Sequence, residues 1–265
     1  MTNKFTMTQL LLGANVLMFL AREMSGEALA GFWSAMPLFD PANSNFRPWQ
    51  FVTSMFTHGS LGHLVFNMFG LFSFGAVLER VWGGRRFLLF YFVVGIGAGL
   101  VYTAVNHLEA NAARGRLTEM QIDAAALDRV GEYASPRDFA LGVAQVSPQV
   151  LQEAALDDII VLFRVHHVPV VGASGAIYGI LTAFGMLFPW AKLQLIFLPV
   201  PIAAKYFIPG LLLLDLFSGV TNVSIFGGGI AHFAHLGGAL IGFLLMLAWR
   251  KDLSLPPEVA ARGMM

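Results

Sequence analysis

Cysteine is absent from all 265 residues, so neither a disulfide nor a thiolate metal site can be drawn from this chain. Charge is scarce as well. Only 12% of residues are Asp, Glu, Lys or Arg, where an ordinary soluble domain carries about 25%. Acidic and basic residues cancel to a net charge of zero and no basic run occurs, which argues against nucleic acid as a partner. No His-Glu dipeptide occurs, which excludes the H-E-x-x-H helix of a zinc protease. An aspartyl protease would need two intramembrane aspartates, and Asp215 alone lies in an apolar run. His166-His167 has no carboxylate at ligand spacing nearby, so no metal is assigned there. Nor do the two halves of the chain resemble each other, as the inverted repeats of a transporter would.

Apolar residues fill the space that charge leaves. They make up 57% of the chain, in several charge-free runs near the ~18–20 residues that cross a bilayer as a helix. The pattern predicts an all-α polytopic membrane protein with six spans, at about residues 5–21, 61–78, 87–106, 168–190, 203–217 and 230–249. Between the first two lies a stretch mixing Pro37, Pro41 and Pro48 with Trp33, Phe39, Phe46 and Trp49, suited to the headgroup interface. The segment before Lys205, with Pro189, Lys192, Pro199 and Pro201, is expected to dip at the interface too.

Residues 109–164 form the one soluble-looking piece, with nine acids and five arginines. Its periodicity is helical, and three short helices are expected. Thr118-Glu119-Met120-Gln121 reads as a capping box ahead of Ala124, Leu127 and Val130. Ser135-Pro136 and Ser147-Pro148 each place an N-cap residue before a first-turn proline. Basic residues near span ends set orientation. One side of the membrane receives nine of them against three acids; the other, with the insertion, has seven against thirteen. Both termini are therefore expected in the cytoplasm and the insertion outside it. The N-terminus lacks an A-x-A-like cleavage site and reads as a retained span, and the missing presequence points to a bacterial inner membrane.

Polar residues inside apolar spans are costly and commonly functional. Ser174 sits between glycines in Gly172-Ala173-Ser174-Gly175 at the start of the fourth span. His63 and Asn67, at i, i+4 on one face, begin the second; His232 and His235 begin the sixth. In the predicted topology all these spans enter from outside, so the groups gather at one depth. Gly238 and Gly242 continue a stripe of small residues from His235, and Gly172, Gly175 and Gly179 offer a matching stripe around Ser174. Close packing of the two would bring His235 to Ser174, with Tyr178 one turn on to stack against the imidazole. His232 is expected to face a loop or solvent. No carboxylate is assigned to the pair, because packing by Tyr178 and the glycines can fix the imidazole. The helix start at Ser174 offers a backbone N–H to a developing oxyanion.

These motifs resemble the rhomboid intramembrane serine proteases. Gly172-Ala173-Ser174-Gly175 fits the family's G-x-S-G and Tyr178 its tyrosine one turn on. His58, His63 and Asn67 fit H-x4-H-x3-N, and Ala234-His235 with Gly238 and Gly242 fits A-H-x-x-G-x-x-x-G. The resemblance implies a six-helix bundle with Ser174 as nucleophile and His235 as base. It also implies His63 and Asn67 at the oxyanion hole, with His58 as a structural polar residue. The chain departs from the family at Trp49-Gln50, where Trp-Arg is common, and in the long insertion between spans three and four.

The expected function is an intramembrane serine endopeptidase that needs no cofactor or metal. It would cut transmembrane helices of membrane-protein substrates near their extracytoplasmic ends, with helix-breaking or small residues favoured. The alternative is a non-catalytic rhomboid-like protein that binds membrane clients. A pure binder would need neither Ser174 nor His235.

Overall fold

Thr6 opens the first helix, α1 (Met7–Ser25), with a capping box: its hydroxyl accepts from the Gln9 N–H at 3.2 Å, and the Gln9 side chain accepts from the Thr6 N–H at 3.0 Å. The computed structural model describes residues 5–195, 198–221, 223 and 231–249. The charges assigned to Lys4, Arg250, Lys251, Asp252, Glu258 and Arg262, and the glycine run at 227–229, lie outside the described residues. Glu79, near the end of α2 (Leu61–Trp82), reaches the start of α1 and accepts from the Met7 and Thr8 N–H groups and the Thr8 hydroxyl at 2.6–2.8 Å. A carboxylate satisfies otherwise unpaired donors and opposes the positive end of the helix dipole. That contact clamps α1 to α2.

The chain turns at once into α3 (Gly84–Glu119), a single helix of 36 residues. Its first half lies in the bundle core, where Phe87, Phe90, Tyr91 and Val94 are fully buried. Its second half continues into the insertion without a break, so the helix itself runs past residue 106, where the third span was expected to end. No glycine or proline interrupts the helix between Val101 and Ala113. Thr118-Glu119-Met120-Gln121 proves to be a helix end, not a start. The Ile122 N–H bonds to Leu117 O at 3.1 Å and the Gln121 N–H to Thr118 O at 2.9 Å, with Gln121 at φ 62. That is the Schellman pattern of a C-terminus. The next short helix, Ala124–Leu127, takes Asp123 as its N-cap.

Ser135 does cap α4 (Pro136–Ala144), its hydroxyl accepting from the Asp138 N–H at 3.1 Å. Ser147 does not cap a full helix. Its hydroxyl accepts from the Asp123 N–H at 2.9 Å, and a single 3-10 turn, Pro148–Leu151, follows. Helix α5 (Glu153–His167) then returns along the far half of α3, tied by Arg116 to Asp158 and by Arg164 to Glu109. Leu117, Leu127, Phe139, Val143, Val150 and Ile159 form a core of their own, separate from that of the bundle.

Beyond it, α6 (Ser174–Leu187) is followed by a two-stranded antiparallel hairpin, β1 (Lys192–Leu195) and β2 (Leu198–Ala203), with Lys192 opposite Ala203. The expected interfacial dip is thus a hairpin, the one sheet among the described residues. Helices α7 (Ala204–Thr221) and α8 (His232–Trp249) complete the bundle. Among the described residues four helices, α2, α3, α7 and α8, are long and apolar enough to cross a membrane. The protein is an integral membrane protein built as a helical bundle.

Helix α6 is shorter than predicted. Residues 168–173 are not helical; Val170 instead exchanges backbone hydrogen bonds with Leu38 of the first loop at 2.8 and 2.9 Å. Fourteen residues rise about 21 Å, less than the ~30 Å of a hydrocarbon core. Such a helix is tolerated because protein, not lipid, surrounds it: nine of the 14 residues are buried. The first loop is organised by Gln50, fully buried, where the sequence departs from Trp-Arg. Its side-chain oxygen accepts from the Phe39 and Arg47 N–H groups at 3.3 and 3.1 Å, and its amide nitrogen donates to Ala35 O and Asn45 O at 3.1 and 2.9 Å.

Candidate active site

The two glycine stripes read from the sequence meet between α6 and α8. A Cβ at Gly238 would sit 1.9 Å from the Gly175 carbonyl oxygen, so the backbones are in direct contact and only glycine fits. This approach carries His235, one turn before Gly238, over the first residue of α6. His235 Nε2 lies 2.9 Å from Ser174 Oγ. The Tyr178 ring stacks on the imidazole with centroids 4.1 Å apart and planes 13° from parallel.

Ser174 follows a strained turn. Gly172 has φ +112, a region side chains avoid, and its N–H bonds to Ser54 O at 2.8 Å. A Cβ there would also lie 2.6 Å from His63 Nε2 and 3.2 Å from Asn67 Nδ2. The same figures place both side chains of α2 over the turn before Ser174. Asn67 Nδ2 is buried and has no hydrogen-bond partner among the described residues. The first bond within α6 runs from the Ile177 N–H to Ala173 O at 3.0 Å, and no side chain caps the helix start. The uncapped helix start and the side chains of His63 and Asn67 thus meet at the turn that leads into Ser174.

His58, ahead of α2, packs edge-on against His63 with centroids 5.1 Å apart. It is 1% exposed; burial, with His63 beside it, pushes its pKa down to about 4, so it is uncharged at neutral pH. Its carbonyl accepts from Arg22 Nη1 at 2.9 Å, which joins the end of α1 to the approach of α2. Ser174, His235, His63, Asn67, Gly172, Tyr178, His58 and Gly238 therefore all gather at one end of the bundle, the end from which the insertion projects.

Two further residues belong to the cluster. His232 does not face solvent: its side chain is 11% exposed and its Nδ1 lies 2.5 Å from Asp215 Oδ1. The pair is not without a carboxylate either, since the same oxygen lies 3.3 Å from His235 Nδ1. Asp215 comes from α7, so its meeting with α8 depends on a helix contact that spacing along the chain does not reveal. The available signal was its position: an acid inside an apolar run is a functional candidate by default, and His232 shares a helix face with His235 at i, i+3. Asp215, His232 and His235 also offer three donor atoms within 4.8 Å of one another, a set suited in type to a zinc-like ion. Their contacts as they stand are hydrogen-bonded ones.

The family model described as Rhomboid domain matches residues 45–116 and 140–251, so the gap in the match falls within the insertion. The chain is 29% identical over 202 residues to the RHOMBOID-like protein 12, mitochondrial, of Arabidopsis thaliana, covering 76% of this chain and 45% of that protein. It is 33% identical over 98 residues to the rhomboid protease GluP of Bacillus subtilis, covering 35% of this chain and 19% of that protein. With the rhomboid protease GlpG of Salmonella choleraesuis it shares 30% identity over 94 residues, 36% of this chain and 33% of that one. The chain thus spans less than half the length of these relatives.

Proposed function

The chain belongs to the rhomboid family, and from that premise we propose that it is an intramembrane serine endopeptidase acting through Ser174 and His235. The observation that carries this reading is the 2.9 Å contact between His235 Nε2 and Ser174 Oγ, with the imidazole held flat by Tyr178. Nucleophile and base within hydrogen-bond reach, with the base oriented by a third group, is the arrangement that activates a serine.

The reaction follows from those positions. Ser174 Oγ forms a bond to the scissile carbonyl carbon as its proton passes to His235 Nε2. The carbonyl oxygen takes up negative charge, which the Ser174 N–H, His63 and Asn67 stabilise by hydrogen bonds. The C–N bond then breaks, and the leaving nitrogen takes the proton from His235. Water, deprotonated by the same imidazole, releases the acyl group and returns Ser174 to its hydroxyl form. Gly172 and Gly238 serve by geometry, since a side chain at either would displace the groups just named. His58 remains a structural polar residue behind His63.

The substrates of this reading are transmembrane helices of other membrane proteins, cut near their extracytoplasmic ends. A peptide bond inside a stable helix is hidden by its own hydrogen bonds, so helix-breaking or small residues near the cut would help. The serine lies at the start of a helix too short to span, so the cut would fall below the membrane surface. Both termini would face the cytoplasm of a bacterial inner membrane, and the insertion would lie outside beside the site.

One reconstitution tests the chemistry. Full-length protein in liposomes, given a fluorescent transmembrane reporter, should cleave it, while Ser174→Ala and His235→Ala should each fall below about 10⁻⁴ of the wild-type rate. A serine-directed fluorophosphonate should label the wild type and spare Ser174→Ala. A client-binding protein without chemistry would bind the reporter equally in all three and cleave it in none. The absence of cysteine makes orientation testable as well. Arg137→Cys, in the insertion, should react with a membrane-impermeant maleimide added to intact cells, and Arg85→Cys, at the opposite end of α3, should not. The reverse pattern would overturn the orientation.

A further inference from the structure

We propose that Asp215 and His232 act as positioning residues for the base, so that the proton of neutral His235 sits on Nδ1 and Nε2 is left free to accept from Ser174. This rests on the Ser174–His235 reading above and goes beyond it. It turns a pair into a relay of four side chains drawn from α6, α7 and α8.

A neutral imidazole carries one proton and has two places for it. With the proton on Nδ1, His235 donates to Asp215 Oδ1 at 3.3 Å, and the Nε2 lone pair faces Ser174 Oγ at 2.9 Å. With the proton on Nε2, the Nδ1 lone pair would face a carboxylate oxygen at 3.3 Å, acceptor against acceptor. In an enclosed site of low dielectric that second arrangement is strongly disfavoured. The carboxylate therefore selects the one tautomer that can act as a base. Stacking by Tyr178 fixes the plane of the ring but cannot choose between its nitrogens. Only a group beyond Nδ1 can do that, and Asp215 is the side chain placed there.

The same carboxylate acts again when the proton arrives. Once Ser174 has given it up, His235 is an imidazolium with both nitrogens protonated. An anion 3.3 Å from Nδ1 stabilises that cation, and its effect is largest where water is excluded. The proton moved is the serine's; Asp215 itself keeps its charge throughout.

Holding an aspartate inside an apolar helix is costly unless hydrogen bonds satisfy it. The Asp215 side chain is 7% exposed, in the run Leu211-Leu212-Leu213-Leu214-Asp215-Leu216-Phe217. His232 offsets part of that cost, with Nδ1 2.5 Å from the same Oδ1, while Oδ2 has no hydrogen-bond partner among the described residues. Its position one turn before His235 on α8 means that both imidazoles address one oxygen from one helix face. His232 thus holds the carboxylate where His235 needs it.

The test uses the full-length protein in liposomes, with Ser174→Ala alongside as the zero of activity. Asp215→Asn, which keeps the shape and removes the charge, and Asp215→Leu should each lower kcat about 10²-fold or more while KM stays within about twofold. Fluorophosphonate labelling should slow in parallel, and Asp215→Glu should recover part of both. His232→Ala should cost less, about 10-fold, and His232→Asn, which retains a donor, should recover part of that. A merely structural role would not move the next readout. In ¹⁵N-histidine NMR of micelles at neutral pH, His235 should carry its proton on Nδ1 in the wild type and shift towards Nε2 in Asp215→Leu. If Asp215→Leu does not fold, the same spectrum of Asp215→Asn and His232→Ala decides. Folded Asp215 variants with wild-type kcat and an unchanged tautomer would overturn the inference. That result, with Ser174→Ala inactive, leaves the protease reading standing; cleavage by Ser174→Ala would sink both.

Discussion

Asp158 in the insertion and Asp215 in the bundle are equally buried, each 6% exposed, yet they are neutralised in opposite ways. Asp158 meets the guanidinium of Arg116, whose Nε and Nη2 both donate to it from a side chain that is 57% exposed. Asp215 meets two imidazoles that are themselves only 11% and 12% exposed. The first acid is balanced by a permanent cation at the edge of water, an arrangement that holds two helices together. The second meets two imidazoles of one neighbouring helix, whose Nδ1 atoms lie 2.5 and 3.3 Å from its Oδ1. The same residue type joins two helices in one region and, on the reading proposed above, positions a base in the other.

The two cores differ in the same sense. In the bundle, α6 and α8 meet by close backbone contact between glycines, whereas the insertion is held by large apolar side chains. Substitutions should therefore act differently in each. Gly238→Val should have the largest effect, because its side chain has nowhere to go with a carbonyl 1.9 Å from its Cβ. Loss of both the thermal transition of the bundle and reporter cleavage is expected, and a folded, active variant would show that α6 and α8 can separate. Phe139→Ala, in the fully buried core of the insertion, should cost about 3–5 kcal/mol. Limited proteolysis should find the insertion opened while cleavage of a short reporter persists. Parallel loss of cleavage would mean that the insertion supports the bundle.

His63→Ala and Asn67→Ala should leave folding intact and each lower kcat about 10²–10³-fold with little change in KM, because an oxyanion exists only after attack. Unchanged turnover in both, and in the double variant, would place the oxyanion donors elsewhere. Arg129→Ala marks the small end of the scale. Its partner Glu132, at i, i+3, is 56% exposed and Arg129 itself 59%, so water takes over when the pair is cut. No measurable shift in the melting temperature is expected. A clear shift would show that the surface pairs of the insertion are coupled to its core.

Membrane character, the gathering of Ser174, His63, Asn67 and His235 at one end, and the glycine contact between two spans were all legible in the sequence. Each rests on local periodicity: apolar length, i, i+4 spacing and small residues in register. Helix ends were less legible. Thr118 to Gln121 carries the letters of a capping box, but the helix arriving from Gly84 was already formed and used them as its end. Ser135 could be read correctly because Pro136 cannot extend a preceding helix, whereas Ser147 was taken by the Asp123 N–H from 24 residues away.

Sequence by itself singled out Ser174, His235, His63 and Asn67, because polar groups in an apolar chain stand out and their spacing places them on a face. Tertiary structure alone decided which of them touch. Asp215 is 17 residues from His232 and 20 from His235, and no periodicity links them. Their contact arises from how α7 leans on α8, which the packing of whole helices sets. Spacing along a chain orders side chains within one helix, while the meeting of two helices depends on every side chain between them.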